Sequence, residues 1–284
     1  MPFQSALSTT KSSCASFRFA GKPSLQGLLE QNAKLWDGNA SVWNAAEESQ
    51  KDLYRQYFLA PTIQKFVGSV ANKNVLDMGC GEGIFCRQFA KNAKSVTGID
   101  ISEKMLAIAN KKPTNGIQYL KRSITDLSNL KNEQFDTVFS SMTFMSSPGL
   151  PQSISEAYRL LKPGGEFMFI IKHPFNLWKQ HQKTNGKQIS YFNDNPFVYE
   201  ADLTKYAKKV DEHVPTVKAK SIHYPRTIST YLNTLREAGF ILEEMVEPEI
   251  PKATLKILGS QKHDWEMPQI MMVRAIKPKT STIQ

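Results

Sequence analysis

The sequence predicts an α/β domain in which seven strands form a mostly parallel sheet with helices on both faces. Short apolar runs alternate with helical patterns from residue 75 to residue 173, which is typical of strand–helix units in a parallel sheet. The first of these runs, Val75–Met78, leads into a glycine-rich turn. The last two runs are separated by a Pro- and Lys-containing segment and not by a crossover helix, so we expect the final strand pair to be antiparallel.

The glycine-rich turn has three glycines at alternate positions, Gly79, Gly81 and Gly83, and a helical pattern follows it. Such glycines leave room for a ligand against the backbone, and the helix offers its free N–H groups. Dinucleotide-binding loops have the spacing G-x-G-x-x-G, whereas this turn has G-x-G-x-G, with Asp77 two residues before it. A carboxylate there repels a pyrophosphate but suits an ammonium group. The turn therefore favours S-adenosylmethionine, which carries an ammonium, a sulfonium and no phosphate.

Asp100 ends the second apolar run, 17 residues after Gly83. A carboxylate at that position is placed to hold a ribose diol, although Asp100 alone fits NAD equally well. The ordered segments DMGCGEG, GIDIS, FDTVFS and LKPGGEFMFI resemble the class I S-adenosylmethionine-dependent methyltransferases. Among these, the chain is most similar to the small-molecule group that includes ubiquinone- and menaquinone-pathway enzymes. The resemblance covers residues 51–172 well and residues 227–277 in outline.

This resemblance implies a Rossmann-like class I methyltransferase fold that uses S-adenosylmethionine, releases S-adenosylhomocysteine and methylates an oxygen, nitrogen or carbon atom of a small molecule. It also implies a set of cofactor-binding residues, in which Arg55 meets the cofactor carboxylate and Asp126 the adenine amino group. Asp126 also fits an ordinary loop residue. The cofactor-binding candidates are Arg55, Asp77, Gly79, Cys80, Gly81, Gly83, Asp100, Ile101, Ile124, Asp126, Ser140 and Ser141.

The catalytic candidate is His173, at the predicted end of the fifth strand, where a neutral imidazole accepts a proton from a phenol, enol or amine. The alternative is a hydrogen-bonded loop histidine before Pro174. Residues expected to contact the acceptor lie at the end of the fourth strand and around the segment that follows the fifth strand. They are Met142, Trp178, His223, Tyr224 and Arg226.

We expect one methyltransferase domain over residues 25–277, with a flexible tail at 1–24 and a polar tail at 278–284. Residues 25–68 have helical spacing, and in the resembled family such helices close over the cofactor. Residues 174–225 interrupt the strand–helix alternation and are rich in aromatic and basic residues. A connection of this length is usually functional, so we expect an aromatic substrate cap with a basic rim.

Composition sets the remaining bounds. The formal net charge is +10, and residues 172–226 hold ten basic against five acidic side chains. No apolar run is long enough to span a membrane. The cysteines, Cys14, Cys80 and Cys86, lack metal-ligand spacing and indicate a reducing compartment. We therefore expect a cytoplasmic protein with no metal, or an organellar one if the Ser/Thr-rich residues 1–24 are a transit peptide.

Two other functions remain open from the sequence. The basic and aromatic residues of the predicted cap also describe a single-strand nucleic-acid platform, so an RNA methyltransferase is an alternative. A cofactor-binding regulator without transfer activity is another, because the glycine turn and Asp100 account for cofactor binding but not for methyl transfer. The sequence predicts neither the acceptor nor the oligomeric state.

Overall fold

A computed structural model describes residues 23–48, 53–112, 115–202, 218–258 and 267–279. The predicted tails, except for residues 23, 24, 278 and 279, lie outside these residues, as do residues 203–217 of the predicted cap. The strands among the described residues are β1 (Asn74–Met78), β2 (Ser95–Asp100), β3 (Ile117–Lys121), β4 (Phe135–Ser141), β5 (Leu161–Lys172), β6 (Phe197–Asp202), β7 (Lys218–His223), β8 (Ile241–Val246) and β9 (Ile270–Ile276).

Seven of these strands form one sheet in the order β3-β2-β1-β4-β5-β9-β8. The first five strands in chain order run parallel, whereas β9 is antiparallel to both of its neighbours, β5 and β8. Strands β6 and β7 form a separate antiparallel hairpin. The predicted sheet, with its antiparallel end, is confirmed.

Helices cover both faces of the sheet. They are α1 (Leu25–Glu48), a π-helical turn (Arg55–Leu59), α2 (Ala60–Val67), α3 (Ile84–Phe89), α4 (Glu103–Lys111), a 3-10 turn (Phe144–Ser146), α5 (Leu150–Leu160), α6 (Pro174–Asn185), α7 (Ile228–Glu237) and α8 (Lys252–Leu258). Leu76 of β1 packs in a core cluster with side chains of α5 and α7, whereas its neighbour Val75 packs with side chains of α2 and α3. Because successive strand residues point to opposite faces, the sheet has a core on each side.

The central strands are buried because their neighbours cover both faces. Residues 167–171 of β5 have no exposed surface, and residues 75–78 of β1 are buried as well. Such buried runs, which are apolar except for Asp77, are typical of parallel strands covered on both faces. At the helix starts, Ser102 accepts a hydrogen bond from the backbone N–H of Met105 at 3.1 Å, and Thr227 accepts one from Thr230 at 3.2 Å. These caps fix the starts of α4 and α7.

Helix α1 is fastened to three parts of the fold. Asp37 accepts hydrogen bonds from the Ser102 hydroxyl, at 2.6 Å, and from the backbone N–H of Lys104, at 3.1 Å. Asn39 bonds the backbone of Lys220 in β7 twice, donating to its carbonyl at 2.7 Å and accepting from its N–H at 3.2 Å. Asn32 donates to the Ser146 carbonyl at 2.9 Å. The helix therefore lies across the sheet edge where β2 and β4 end.

The structure agrees with the predicted connection of the last two strands and corrects the end of the fifth. The segment between β8 and β9 contains the short helix α8, which is not a crossover because the two strands pair antiparallel, as predicted. The prediction that the fifth strand ends at His173 is wrong, because β5 begins at Leu161 and ends at Lys172. His173 is instead the residue that caps helix α6, since Pro174 favours the first helical position.

The conformation of the glycine turn gives a matched test of packing. Gly79 and Gly81 both have positive φ values, +79° and +54°. A Cβ at Gly79 would lie 2.3 Å from Thr143 Oγ1 and 2.8 Å from Thr143 Cβ, whereas a Cβ at Gly81 meets no atom within 4 Å. Glycine is therefore required at position 79 by the positive φ and by the lack of room for a Cβ, and at position 81 by the positive φ alone.

We expect Gly81→Ala to lower the free energy of unfolding by roughly 1–2 kcal/mol, the cost of a left-handed conformation with a side chain. Gly79→Ala adds a clash, and overpacking of this kind costs about 1–3 kcal/mol more. Urea denaturation of the two variants measures the difference. Equal destabilisation would contradict the close approach of Thr143 to the turn.

Candidate functional site

A cavity of about 640 Å³ lies at the carboxyl ends of β1, β2, β4 and β5, beneath helix α1. Ligand sites in open parallel sheets form at this edge. Many residues predicted from the sequence line the cavity. They are Arg55, Asp77, Gly79, Cys80, Gly81, Asp100, Ile101, Ile124, Ser141, Met142 and His223, together with Trp43 and Tyr54 of the predicted lid.

The glycine turn is held against the end of β2 by its own backbone. The N–H groups of Gly79 and Cys80 both donate to the Ile99 carbonyl, at 2.7 and 2.9 Å. Asp100 accepts from the backbone N–H of Gly81 at 2.8 Å with one oxygen and from that of Ser102 at 2.8 Å with the other. Its carboxylate is therefore fixed in orientation, while its remaining lone pairs face a cavity that the residue lines.

Two carboxyl groups, those of the buried Asp77 and the half-buried Asp100, make this half of the cavity acidic. Burial raises the pKa of Asp77 to about 7, and the charge of Asp100 adds to this while a hydrogen bond from Cys86 opposes it. Burial also raises the pKa of Asp100, against the hydrogen bonds from Ser102 and Gly81. Among the described residues, neither carboxylate has a basic side chain within 4 Å. A cationic ligand would supply the missing partner.

The wall formed by α1 adds aromatic and polar surface. The rings of Trp36 and Trp43 lie 6.3 Å apart, and both residues line the cavity. Trp43 Nε1 and Asn32 Oδ1 are buried without a hydrogen-bond partner among the described residues. Unpaired buried polar atoms are costly, so their position on a cavity wall indicates that a ligand satisfies them.

The opposite half of the cavity is formed by β5, the β6–β7 hairpin and the start of β9. Its lining residues include Lys172, Tyr199, Ser221, His223, Gln269 and Ile270. Burial lowers the pKa of Lys172 to about 8. Burial and the charge of Lys172 lower the pKa of His223 to about 3, so the imidazole is neutral at physiological pH. Sequence reasoning missed Lys172, although a lysine at the carboxyl end of a buried apolar strand was a usable signal.

His173 does not line this cavity, which corrects its prediction as a catalytic base. Its side chain is fully buried, with Nε2 2.7 Å from Glu247 and Nδ1 accepting the backbone N–H of Phe175 at 3.2 Å. Both ring nitrogens are therefore used within the protein. The residue lies one position beyond the end of β5, and the side chain that lines the cavity is that of Lys172.

Three predicted cofactor contacts are also placed elsewhere. Asp126 is exposed and accepts the backbone N–H of Ser128 at 3.1 Å, so it is the ordinary loop residue that the sequence also allowed. Ser140 is buried and donates to the Met78 carbonyl at 2.8 Å, which joins β4 to β1. Gly83 is required for packing, because a Cβ there would lie 2.1 Å from the Tyr119 hydroxyl.

Three predicted acceptor contacts are structural. Trp178 donates its indole N–H to the Ile189 carbonyl at 2.7 Å. Tyr224 is buried and its backbone N–H bonds the Met145 carbonyl at 2.8 Å. The Arg226 guanidinium donates to the carbonyls of residues 144, 147 and 148 at 2.6, 2.7 and 3.1 Å. It therefore holds the loop after β4 that forms part of the cavity wall.

Within the described part of the chain, no group of three or more His, Cys, Asp and Glu side chains is arranged to hold a metal ion. In the same residues, no helix has the length and apolar composition needed to cross a membrane.

Comparisons with known proteins agree with this geometry. Residues 76–169 match the family model of the methyltransferase domain. A solved structure from Listeria monocytogenes, assigned to the S-adenosylmethionine-dependent methyltransferases, superposes with a TM-score of 0.62 at 27% identity over 78% of this chain and 96% of that one. An S-adenosylmethionine-dependent methyltransferase from Mesorhizobium loti gives a TM-score of 0.61 at 24% identity over 80% and 99%.

A curated relative matches about a third of the chain. The ubiquinone biosynthesis O-methyltransferase of Pseudomonas putida is 39% identical over 104 residues, which is 36% of this chain and 45% of that enzyme. The sheet order, the acidic glycine turn and the domain match lead to one conclusion: the chain is a class I S-adenosylmethionine-dependent methyltransferase, and S-adenosylmethionine is its cofactor.

Proposed function

We propose that the protein transfers a methyl group from S-adenosylmethionine to an oxygen, nitrogen or carbon atom of a small molecule. One observation carries the proposal: a single cavity joins the acidic glycine turn to a second half lined by Lys172, Tyr199 and His223. The name of the Pseudomonas putida relative, a ubiquinone biosynthesis O-methyltransferase, supports a small acceptor.

In this proposal the acidic half holds the cofactor. Asp100 binds the ribose hydroxyls, the turn from Gly79 to Gly81 lies against the methionine moiety, and Asp77 receives its ammonium or orients the turn. Arg55 meets the carboxylate and Ile124 borders the adenine. Support comes from the lining positions of these residues and from the two carboxylates without basic partners.

The protein's part in the reaction is positioning. S-adenosylmethionine supplies an already activated methyl group when it is bound. The cavity walls orient the acceptor atom in line with that group and exclude water, and orientation of this kind accounts for roughly 7–11 kcal/mol of barrier reduction. A carboxylate acceptor is already ionised and needs no general base, so the structural role of His173 does not conflict with catalysis.

Domain organisation and location complete the proposal. Residues 25–277 act as one domain, in which residues 25–68 are the lid and residues 174–225 the substrate cap. The paired hydrogen bonds of Asn39 with Lys220 support this, because they join lid and cap beside the cavity. The free thiols of Cys80 and Cys86 support a cytoplasmic location.

The RNA methyltransferase alternative makes a distinct prediction. Phosphate contacts release counterions, so RNA binding would weaken steeply as salt increases. Turnover of any acceptor separates the enzyme from a cofactor-binding regulator.

Replacement of Asp100 tests the cofactor site. We expect Asp100→Ala to weaken S-adenosylhomocysteine binding by about 10- to 100-fold, since hydrogen bonds to charged groups contribute roughly 1.5–3 kcal/mol. Calorimetric titration measures the affinity, and circular dichroism checks the fold. Asp126→Ala is the matched control, because this aspartate is exposed and outside the cavity, and it should bind normally. Unchanged affinity in Asp100→Ala would refute the assignment.

The pKa of Asp77 predicts a pH dependence for cofactor binding. In the proposed site the ammonium group of the ligand, which S-adenosylhomocysteine retains, binds the ionised Asp77 carboxylate, and burial raises the pKa of that group to about 7. Affinity for S-adenosylhomocysteine should therefore be constant above about pH 8 and fall about tenfold per pH unit below about pH 7. In Asp77→Asn the dependence should flatten, whereas in Asp126→Asn it should persist. The same dependence in Asp77→Asn would show that another group titrates.

A structural role for His173 also has a measurable consequence. His173→Ala removes a helix cap and a buried hydrogen bond, so we expect the free energy of unfolding to fall by roughly 1–3 kcal/mol. Calorimetry of the folded variant should give an S-adenosylhomocysteine affinity within about twofold of the parent. Parental stability would contradict the capping role.

A further inference from the structure

The Lys172 ammonium lines the cavity without a negative partner. Its Nζ donates to the neutral Gln180 Oε1 at 2.9 Å and lies 5.4 Å from the centre of the Tyr199 ring. Among the described residues, no carboxylate lies within 4 Å of it. Buried ammonium groups are ordinarily paired, because removing a charge from water is costly. The charge of Lys172 is therefore incompletely compensated within the protein.

The strand pairing explains why no acid is near. Lys172 is the last residue of β5, opposite Ile270 in the antiparallel partner β9. The preceding residues, Ile170 and Ile171, are fully buried. The strand pairing therefore gives the ammonium no charged partner, and the position of Lys172 at the cavity gives it access to a ligand.

His223 provides a second polar group on the same wall. Its ring centre lies 5.4 Å from that of Tyr199, so Tyr199 adjoins both His223 and Lys172. His223 Nε2 is 3.0 Å from the Ser221 hydroxyl, while Nδ1 is buried without a partner. When the Ser221 hydroxyl donates to Nε2, the neutral ring carries its proton on Nδ1. That N–H then has no acceptor in the described protein.

We propose that this half of the cavity binds a methyl acceptor that carries an anionic oxygen, either a carboxylate or an ionised hydroxyl. That oxygen accepts hydrogen bonds from the Lys172 ammonium and from the Nδ1–H group of His223. The inference rests on the proposed function and names its substrate class. The pairing of charges agrees with it. In the proposed function the cationic cofactor pairs with Asp77 and Asp100, so the Lys172 ammonium is left to pair with an anionic oxygen of the acceptor.

Binding of matched carboxylates and amides tests the proposal. The full-length protein is saturated with S-adenosylhomocysteine and titrated calorimetrically with benzoate, benzamide, 4-hydroxybenzoate and 4-hydroxybenzamide. We expect each carboxylate to bind at least tenfold more tightly than its amide. Lys172→Met should abolish this preference, and Lys172→Arg, which keeps the charge, should retain most of it. Lys179→Met is the matched control, because Lys179 is exposed on α6, and it should keep the full preference.

The outcomes separate this inference from the proposed function. Equal binding of carboxylates and amides, binding of neither, or a preference that survives Lys172→Met would overturn the anionic acceptor. A loss of S-adenosylhomocysteine affinity in Lys172→Met would also overturn it, since the lysine would then serve the cofactor carboxylate. Failure of the parent protein to bind S-adenosylhomocysteine would instead refute the proposed function itself.

Discussion

The carboxylate of Asp100 joins the segments on which the cavity depends. Its two oxygens accept backbone N–H groups from the glycine turn and from the start of α4, at Gly81 and Ser102. The Ser102 hydroxyl in turn donates to Asp37, which fixes helix α1 over the same edge. A single acid therefore holds the floor of the cavity and, through Ser102, part of its roof. Hydrogen bonds to a charged acceptor are among the stronger ones, so this arrangement orients three chain segments together.

The cavity is electrostatically divided, and the division follows the strand order. Asp77 lies one residue before the end of β1 and Asp100 ends β2, both on one side of β4, whereas Lys172 ends β5 on the other side. Burial raises the pKa values of both acids and lowers that of Lys172, because each charged form loses water. One half of the cavity thus holds negative side chains and the other half a positive one. Binding to such a cavity is most favourable when ligand groups of opposite charge occupy the two halves.

Local sequence patterns were sufficient to predict the sheet and the residues that line the acidic half of the cavity. Asp77, the glycine turn and Asp100 lie within short segments whose geometry is fixed by neighbouring residues, so their positions followed from spacing. The contacts of Arg226 with carbonyls of the loop after β4 depend on residues about 80 positions away, which no local pattern reveals. His173 shows a second limit. The end of β5 was predicted one residue too late. The functional side chain was therefore expected at His173 and not at its neighbour Lys172.

The sequence predicted site residues at the carboxyl ends of parallel strands. Strand β9 runs antiparallel to β5, so its beginning and not its end lies at the cavity. Gln269 and Ile270 therefore line the site although they precede a strand. The same reversal places the apolar residue Ile270 opposite Lys172, so the strand pairing supplies no acid beside the lysine. In a mixed sheet, the antiparallel strand thus contributes to the acceptor half by the residues that enter it.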